Sequence, residues 1–288
     1  MRIAFATCSA YPDGRADDGE VAALVGAEFQ VWDDAGVDWS AYDRVVIRSV
    51  WDYSHRVETF LEWCEKVGET RLRNRPEVVT FNSDKRYLPE LGVPTVPTAF
   101  VEPGESLGPY SGEIVVKPNI SAGARDTGRF EQDAQGDAAA LVARIHDSGR
   151  IALIQPYLRG VDTQGETAVV FFGGDVSHVL RKRPVLRTAG IAPRAEVAHA
   201  PAAAMLEPDL VSTGQASATE LELATAAHAE ITRRFGTPLY ARVDIVPGAD
   251  GAPVLIELEL IEPNMYMNLV PAAIDRLAAA IRVDAQLT

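Results

Sequence analysis

The sequence predicts a mixed α/β protein: a parallel α/β unit at the N-terminus, followed by a larger part built around antiparallel hairpins. Three observations predict this. Apolar strands alternate with helical segments from Arg2 to Gly68, the pattern of a parallel sheet. Two later segments read as hairpins, Gly165–Pro184 and Tyr240–Asn264, each with a glycine-rich turn. Long helical stretches with apolar faces separate the strands, so each sheet has something to bury against.

The elements follow in order. Arg2–Thr7 reads as a buried strand, and Asp17 and Asp18 can cap a helix over Val21–Ala27. Glu28–Asp33 and Arg44–Ser49 are the next strands, and His55–Gly68 is an amphipathic helix carrying Phe60, Leu61, Trp63 and Cys64. Arg71–Pro76 is polar and reads as a link. Asn82-Ser83-Asp84-Lys85 opens a short helix ending at Gly92, and Pro94 and Pro97 punctuate an extended stretch. Glu113–Pro118 is a strand, Ser121–Gly128 a loop of small residues, Asp137–His146 a helix and Ile151–Leu158 a strand. The first hairpin turns at Gly173-Gly174-Asp175. Pro193–Ala216, rich in Ala and Pro, reads as a loop. Glu220–Phe235 is a helix stopped by Gly236 and Pro238, and Pro271–Ile281 closes the chain as another.

Composition narrows the function. With 27 basic and 41 acidic residues among 288, the net charge of −14 lacks the basic face of a nucleic-acid binder. No run approaches the roughly 20 apolar residues that span a bilayer, and the short apolar N-terminus is no signal peptide. The expectation is a protein of the cytoplasm, without membrane or nucleic-acid partners. Cys8 and Cys64 lack metal or redox spacing, in keeping with a reducing compartment. Absence of GxxxxGK[ST], GxSxG, HExxH and GxGxxG disfavours P-loop NTPases, α/β-hydrolases, zincins and simple Rossmann dehydrogenases.

The second hairpin holds the richest chemistry. With a loop over Ala249–Ala252, Pro253 lies opposite Gly248, Glu257 opposite Asp244 and Glu259 opposite Arg242. Three carboxylates and a guanidinium then share one face, while Val243, Ile245, Val254, Ile256, Leu258 and Leu260 make the other apolar. Like charges placed opposite cost stability unless neutralised, and a hard cation such as Mg²⁺ would neutralise them. A solvated strand face is the plain alternative. At the end of the third strand, Arg48, Ser49, Trp51, Asp52 and Tyr53 occupy the position where α/β sheets bind ligands, or form an ordinary loop around a structural Trp.

A nucleotide set is spread over the middle of the chain. Lys117 ends a strand before a loop of small residues that lets backbone N–H groups approach phosphates, and Lys85 is a second cation. Gln155-Pro156-Tyr157-Leu158 ends a strand whose backbone can meet an adenine edge. Glu166 can accept ribose hydroxyls, and Lys182 lies in a basic cluster with Arg181 and Arg183. Each alone also reads as an ordinary surface or strand-end residue; their order carries the weight.

That order, with FNSDKRYL, VVKPNISAGARDT, QPYL, RKRP and RVD…IELELIEP, resembles the ATP-grasp ligases, the group that includes glutathione synthetase and D-alanine–D-alanine ligase. RSVWDY, together with the same motifs, resembles the O-ureido-D-serine cyclo-ligases of D-cycloserine biosynthesis. The resemblance covers Asn82–Leu277 and implies an α/β pre-domain over 1–81, a central subdomain over 82–155 and a C-terminal subdomain with the metal site over 156–288.

It implies ATP as co-substrate and two Mg²⁺ held by Asp244, Glu257 and Glu259, where the family usually has Asn at the last position. Lys85, Lys117 and the loop through Ser121, Ala122, Gly123, Ala124 and Thr127 would hold phosphates. Gln155, Pro156, Tyr157 and Leu158 would hold adenine, and Glu166 the ribose. Lys182 would meet the γ-phosphate, and Arg242 would stabilise the reacting acyl centre. Arg48, Ser49, Trp51, Asp52, Tyr53, Arg242, Glu262 and Asn264 would face a small amino-acid-like substrate. The implied reaction activates a carboxylate as an acyl phosphate and forms a C–N bond, by ring closure within one molecule. Joining two molecules as an amide ligase, or binding a nucleotide without turnover, are the other readings. Relatives of this kind are often homo-oligomers.

Overall fold

Both faces of β1 (Ile3–Thr7) are buried, which is why it reads as a continuous apolar run: Ile3 and Phe5 face one core, Ala4 and Ala6 another. The structure, a computed structural model, describes residues 1–192 and 209–286. β1 pairs in parallel with β2 (Ala27–Val31) and β3 (Arg44–Ile47), and β3 with the two-residue β4 (Leu72–Arg73), in the order β2-β1-β3-β4. Val21 and Ala22 of α1 (Ala16–Val25) pack on the Phe5 face. Phe60, Trp63 and Cys64 of α2 (Val57–Val67) pack on the other, where Trp32 meets Phe60 edge-on at 5.2 Å.

Local readings differ from the structure here in three places. α1 begins at Ala16, so Asp17 and Asp18 lie inside its first turn instead of capping it; both are buried, and Asp18 is held by Arg48 and Ser49. The stretch read as a polar link contains β4, and Pro76 starts α3 (Pro76–Ser83) at the first helical position, where its missing N–H costs nothing. The helix expected from Asn82 is instead the end of α3 and a 3-10 turn over Lys85–Glu90, opened by Asp84, which accepts from the Arg86 N–H.

The second sheet gathers β5 (Ala99–Val101), β6 (Ile114–Pro118), β7 (Gly128–Phe130), β8 (Ala152–Pro156) and β11 (Gly190–Ile191) in the order β11-β7-β6-β8-β5. Ile114, Val116 and Phe130 bury against Ala138, Leu141, Val142 and Ile145 of α4 (Gln135–Asp147). Period-two alternation turns Val115, Lys117 and Gln155 toward the opposite side.

The third sheet is antiparallel throughout: β9 (Glu166–Phe172), β10 (Asp175–Lys182), β12 (Val211–Thr213), β13 (Tyr240–Pro247) and β14 (Pro253–Glu259), ordered β12-β10-β9-β13-β14. Val169, Phe171, Val243 and Ile245 bury against Leu223, Ala224 and Ile231 of α6 (Ala218–Phe235), whose start carries a Ser217–Glu220 capping box. On the other face, Val170, Phe172, Leu180 and Tyr240 pack against the first sheet and α7 (Ala272–Gln286). A short α5 (Gly160–Gln164), unread in the sequence, joins β8 to β9. Of the stretch read as a loop over Pro193–Ala216, residues 193–208 lie outside the described residues; the rest contains β12.

Candidate active site

The charged face of the β13–β14 hairpin depends on a bulge. Arg242 pairs with Glu259 and Asp244 with Glu257, as the sequence predicts, but Ile245 pairs with Leu255, and Ile256 is left as the extra residue. The turn is therefore a residue longer, with Pro253 opposite Pro247 and not Gly248. The same bulge corrects the reading of the apolar face. Leu255 and Leu258 bury with Val243 and Ile245, whereas Val254 and Ile256 pack with Val246 and Leu158, and Ile256 lines the cavity beside Glu257.

Protein cations already neutralise the acids. Arg242 donates from Nε to Asp244 Oδ1 and from Nη2 to Oδ2, each at 2.9 Å, and also contacts Glu259. Lys182 Nζ lies 2.9 Å from both Asp244 and Glu166, and Lys85 Nζ 3.1 Å from Glu257. Burial opposes the ionised form of Asp244, but Arg242 and Lys182 outweigh it and hold the carboxyl well below its usual range. Glu257 is lowered because Lys85 and Lys117 likewise prevail over burial. Glu259 goes the other way, to about 7: burial raises it, and Asp244 and Glu257 add to the rise against a guanidinium already engaged by Asp244.

Among the described residues no three His, Cys, Asp or Glu side chains are gathered to hold a metal ion. With Asp244 engaged on both oxygens, the donors open to a cation are the partly exposed oxygens of Glu257 and Glu259. Carboxylate oxygens suit a hard divalent ion.

The cavity lies between the charged face of the third sheet and the Lys117 face of the second. Lys117 is 8% exposed and forms no ion pair among the described residues; burial pushes its ammonium down, against the pull of Glu257. Gln155 is anchored by its amide to Thr98 Oγ1 at 3.0 Å. The Tyr157 N–H is already used by Glu113 O at 2.8 Å and the Leu158 carbonyl by the Val161 N–H at 3.0 Å, which leaves the Tyr157 carbonyl and the Leu158 N–H open among the described residues. The Tyr157 ring is fixed by Arg129, 3.6 Å from its centroid, and Pro156 and Leu158 line the same wall. Gly165, before Glu166, has φ +70°, and a Cβ there would meet the Lys182 carbonyl oxygen at 2.5 Å, so only glycine lets these strands start together. Ser121, Ala122, Gly123, Ala124 and Thr127 form the loop over this half.

The substrate half divides the residues read from the strand end. Trp51, Tyr53, Glu262 and Asn264 line the cavity. Arg48, Ser49 and Asp52 do not: Arg48 Nε is 2.7 Å from Asp18, Ser49 bonds the same carboxylate, and Asp52 accepts from Trp32 and Arg56. They brace the N-terminal unit from behind because the strand end turns them inward. The Tyr53 hydroxyl faces the cavity with no hydrogen-bond partner among the described residues, and the Trp51 indole donates to Glu262 O at 3.1 Å. Burial, with Glu259 adding to it, raises the Glu262 carboxyl to about 8. Tyr11, Arg15 and Arg125 also line the cavity and were not singled out in the sequence. Tyr266, a non-glycine at φ 49°, lines it too, at the end of the Glu262–Tyr266 segment that the sequence places after the hairpin.

The chain is 34% identical over 272 residues to the cycloserine biosynthesis protein DcsG of Streptomyces lavendulae, covering 88% of this chain and 87% of that protein. It belongs to the D-cycloserine synthetase DcsG family. The family model of the DcsG N-terminal domain matches residues 3–74, the first sheet and its helices. The crystal structure of D-cycloserine synthetase DcsG superposes with a TM-score of 0.86 at 30% identity, over 99% of this chain and all of that one. D-alanine–D-alanine ligase from Bacillus anthracis, solved with ATP, shares the fold at a TM-score of 0.67 and 15% identity, over 99% of this chain and 97% of that one. This member of the DcsG family is thus an ATP-dependent ligase with the ATP-grasp fold. Among its described residues no helix is long and apolar enough to cross a membrane.

Proposed function

We propose that this DcsG-family ligase activates the carboxylate of a small amino-acid-derived substrate with ATP and closes it on a nitrogen of the same molecule, converting O-ureido-D-serine to D-cycloserine. The observation that carries this reading is Lys117, a buried cation that forms no ion pair among the described residues, facing a cluster in which Lys182 and Arg242 hold Asp244. Adenine would lie between Gln155 and the open Leu158 N–H, with Glu166 at the ribose and the Ser121–Thr127 loop over the phosphates.

A substrate carboxylate oxygen attacks the γ-phosphorus, ADP leaves, and the acyl phosphate forms. Lys117 and Lys182 hold the phosphoryl oxygens in line, where charge neutralisation and positioning matter more than a protein nucleophile. The nitrogen then adds to the acyl carbon. Arg242, held rigid by Asp244, stabilises the oxyanion until phosphate departs and the nitrogen gives up its proton; water then cleaves the N-carbamoyl bond, and the carbamic acid released breaks down to carbon dioxide and ammonia. Glu257 and Glu259, with Asp244 behind them, would hold Mg²⁺, which when bound supplies Lewis-acid charge to the phosphates. Glu262, an acid without a cation partner among the described residues, suits the substrate ammonium, and the Tyr53 hydroxyl and Asn264 suit its polar end. The three sheets support a division near 1–81, 82–155 and 156–288, with β11 reaching back to the second sheet.

A panel of amino-acid-derived carboxylates, O-ureidoserine included, assayed for ADP and for product tests the reading. ADP should form with O-ureidoserine and no added amine, and Glu257→Gln should abolish it while circular dichroism stays unchanged. Product formation only when a second amine is supplied would overturn ring closure.

A further inference from the structure

We propose that Arg125 is a positioning residue: it latches the loop over the phosphates to the Trp51–His55 turn of the N-terminal unit, so that covering the nucleotide and completing the substrate wall are one event. The inference rests on the ligase reading above and adds a residue to it.

The loop needs a holder. Gly123, Ala124 and Asp126 all have positive φ, at 64°, 56° and 51°, and two of them carry a Cβ. Residues stay in that region only where surrounding contacts hold them there. Arg125 supplies those contacts. Its Nε donates to Ala122 O at 3.1 Å, fixing the loop on itself. Its Nη2 donates to Trp51 O at 3.1 Å and to Ser54 Oγ, and its Nη1 meets the ring Nε2 of His55. Arg150 repeats the link from the other side, from Ile120 O at 2.9 Å to Ser54 O. Trp51 and Tyr53 of the gripped turn line the cavity, and Trp51 in turn bonds Glu262 O, so the grip reaches the substrate wall.

The charge is as informative as the geometry. Neither Arg125 nor Arg150 forms an ion pair among the described residues. Burial and the like charge of Arg150 disfavour the Arg125 cation. A polyanion in the cavity that Arg125 lines offsets that repulsion, so nucleotide binding tightens the latch. A planar fork spreads five donors over several ångströms and so reaches Ala122 O, Trp51 O, Ser54 and His55 together, whereas a lysine ammonium presents three donors from a single point. With the latch undone, water reaches the transferring phosphoryl group and the acyl phosphate.

The test compares the full chain with Arg125→Ala and Arg125→Lys. Wild-type protein should form one ADP per product. Both variants should form several ADP per product and lose roughly tenfold to a hundredfold in kcat with little change in KM for ATP, the cost of a misplaced wall. Guanidinium added to Arg125→Ala should lower the ADP-to-product ratio; an unchanged ratio in both variants overturns the latch. Hydrogen exchange with a non-hydrolysable ATP analogue decides the question independently of turnover. In wild-type protein the analogue should slow exchange in 121–127 and in 51–55 together, and in Arg125→Ala it should leave 51–55 unprotected. Equal protection of 51–55 in both proteins overturns the proposal. Absence of product from O-ureidoserine in wild-type protein would count against the ligase reading alone, because the exchange result stands without it.

Discussion

Glu259→Gln separates two forces that oppose each other at one carboxyl group. In metal-free protein, burial with Asp244 and Glu257 raises Glu259 from 4.5 to about 7, although Arg242 touches it. Arg242 gives two N–H groups to Asp244, so its field is shared. A folded-state value above the unfolded one means that the folded protein holds the extra proton between about pH 4.5 and 7. This group therefore destabilises the fold increasingly as pH rises through that window. A gap of about 2.5 pH units at roughly 1.4 kcal/mol each gives a ceiling of about 3 kcal/mol above pH 7. Glutamine keeps the shape of the protonated acid. The variant should match the parent near pH 5 and exceed it by up to about 3 kcal/mol at pH 8, or about 5 °C in Tm for a chain of this length at ~2.1 cal/mol/K per residue. Thermal unfolding with EDTA from pH 5 to 8 measures this, and saturating Mg²⁺ should reduce the gap by stabilising the parent alone. A variant less stable than the parent at pH 8 would show that the Arg242 pair dominates, and would refute the charge argument for a metal at this position.

The remaining predictions concern groups the structure places in fixed pairs. Lys182→Met leaves Asp244 and Glu166 without a cation that lies 2.9 Å from each, and should cost about 3–5 kcal/mol in urea unfolding and at least roughly a hundredfold in kcat. Arg48→Ala orphans the buried Asp18, 2.7 Å away, and should cost about 3–5 kcal/mol while leaving KM for substrate nearly unchanged; a selective rise in that KM would return Arg48 to the substrate wall. Tyr240→Phe removes a hydroxyl that donates to Ile47 O at 2.7 Å or to Ile261 O at 2.8 Å, and should cost about 1–2 kcal/mol in denaturant midpoint without changing KM for ATP.

Period-two patterning made the face of Arg242, Asp244, Glu257 and Glu259 readable, because cross-strand register near a tight turn follows from counting. Counting failed at Pro253 and Ile256, where a bulge inserts one residue that no local signal announces. Lys85, Lys117, Gln155, Glu166 and Lys182 could be singled out by order along the chain, and the structure gathers them around one cavity. Arg48 and Arg125 show the limit from both sides. Arg48 stands at a strand end, where ligands bind, yet turns inward to Asp18; Arg125 stands in a loop of small residues, yet reaches the N-terminal unit.

The chain alone therefore determined the longer strands and helices, the fold class and the family motifs, since these rest on side-chain periodicity and short-range spacing; the short β4, α5 and β12 carry too few residues for a period to show. Tertiary structure decided which charges pair between separate elements and which buried cation has no ion pair among the described residues. An ion pair depends on a few ångströms between segments as far apart in the chain as Lys182 and Asp244, a distance that only the packing of whole sheets sets.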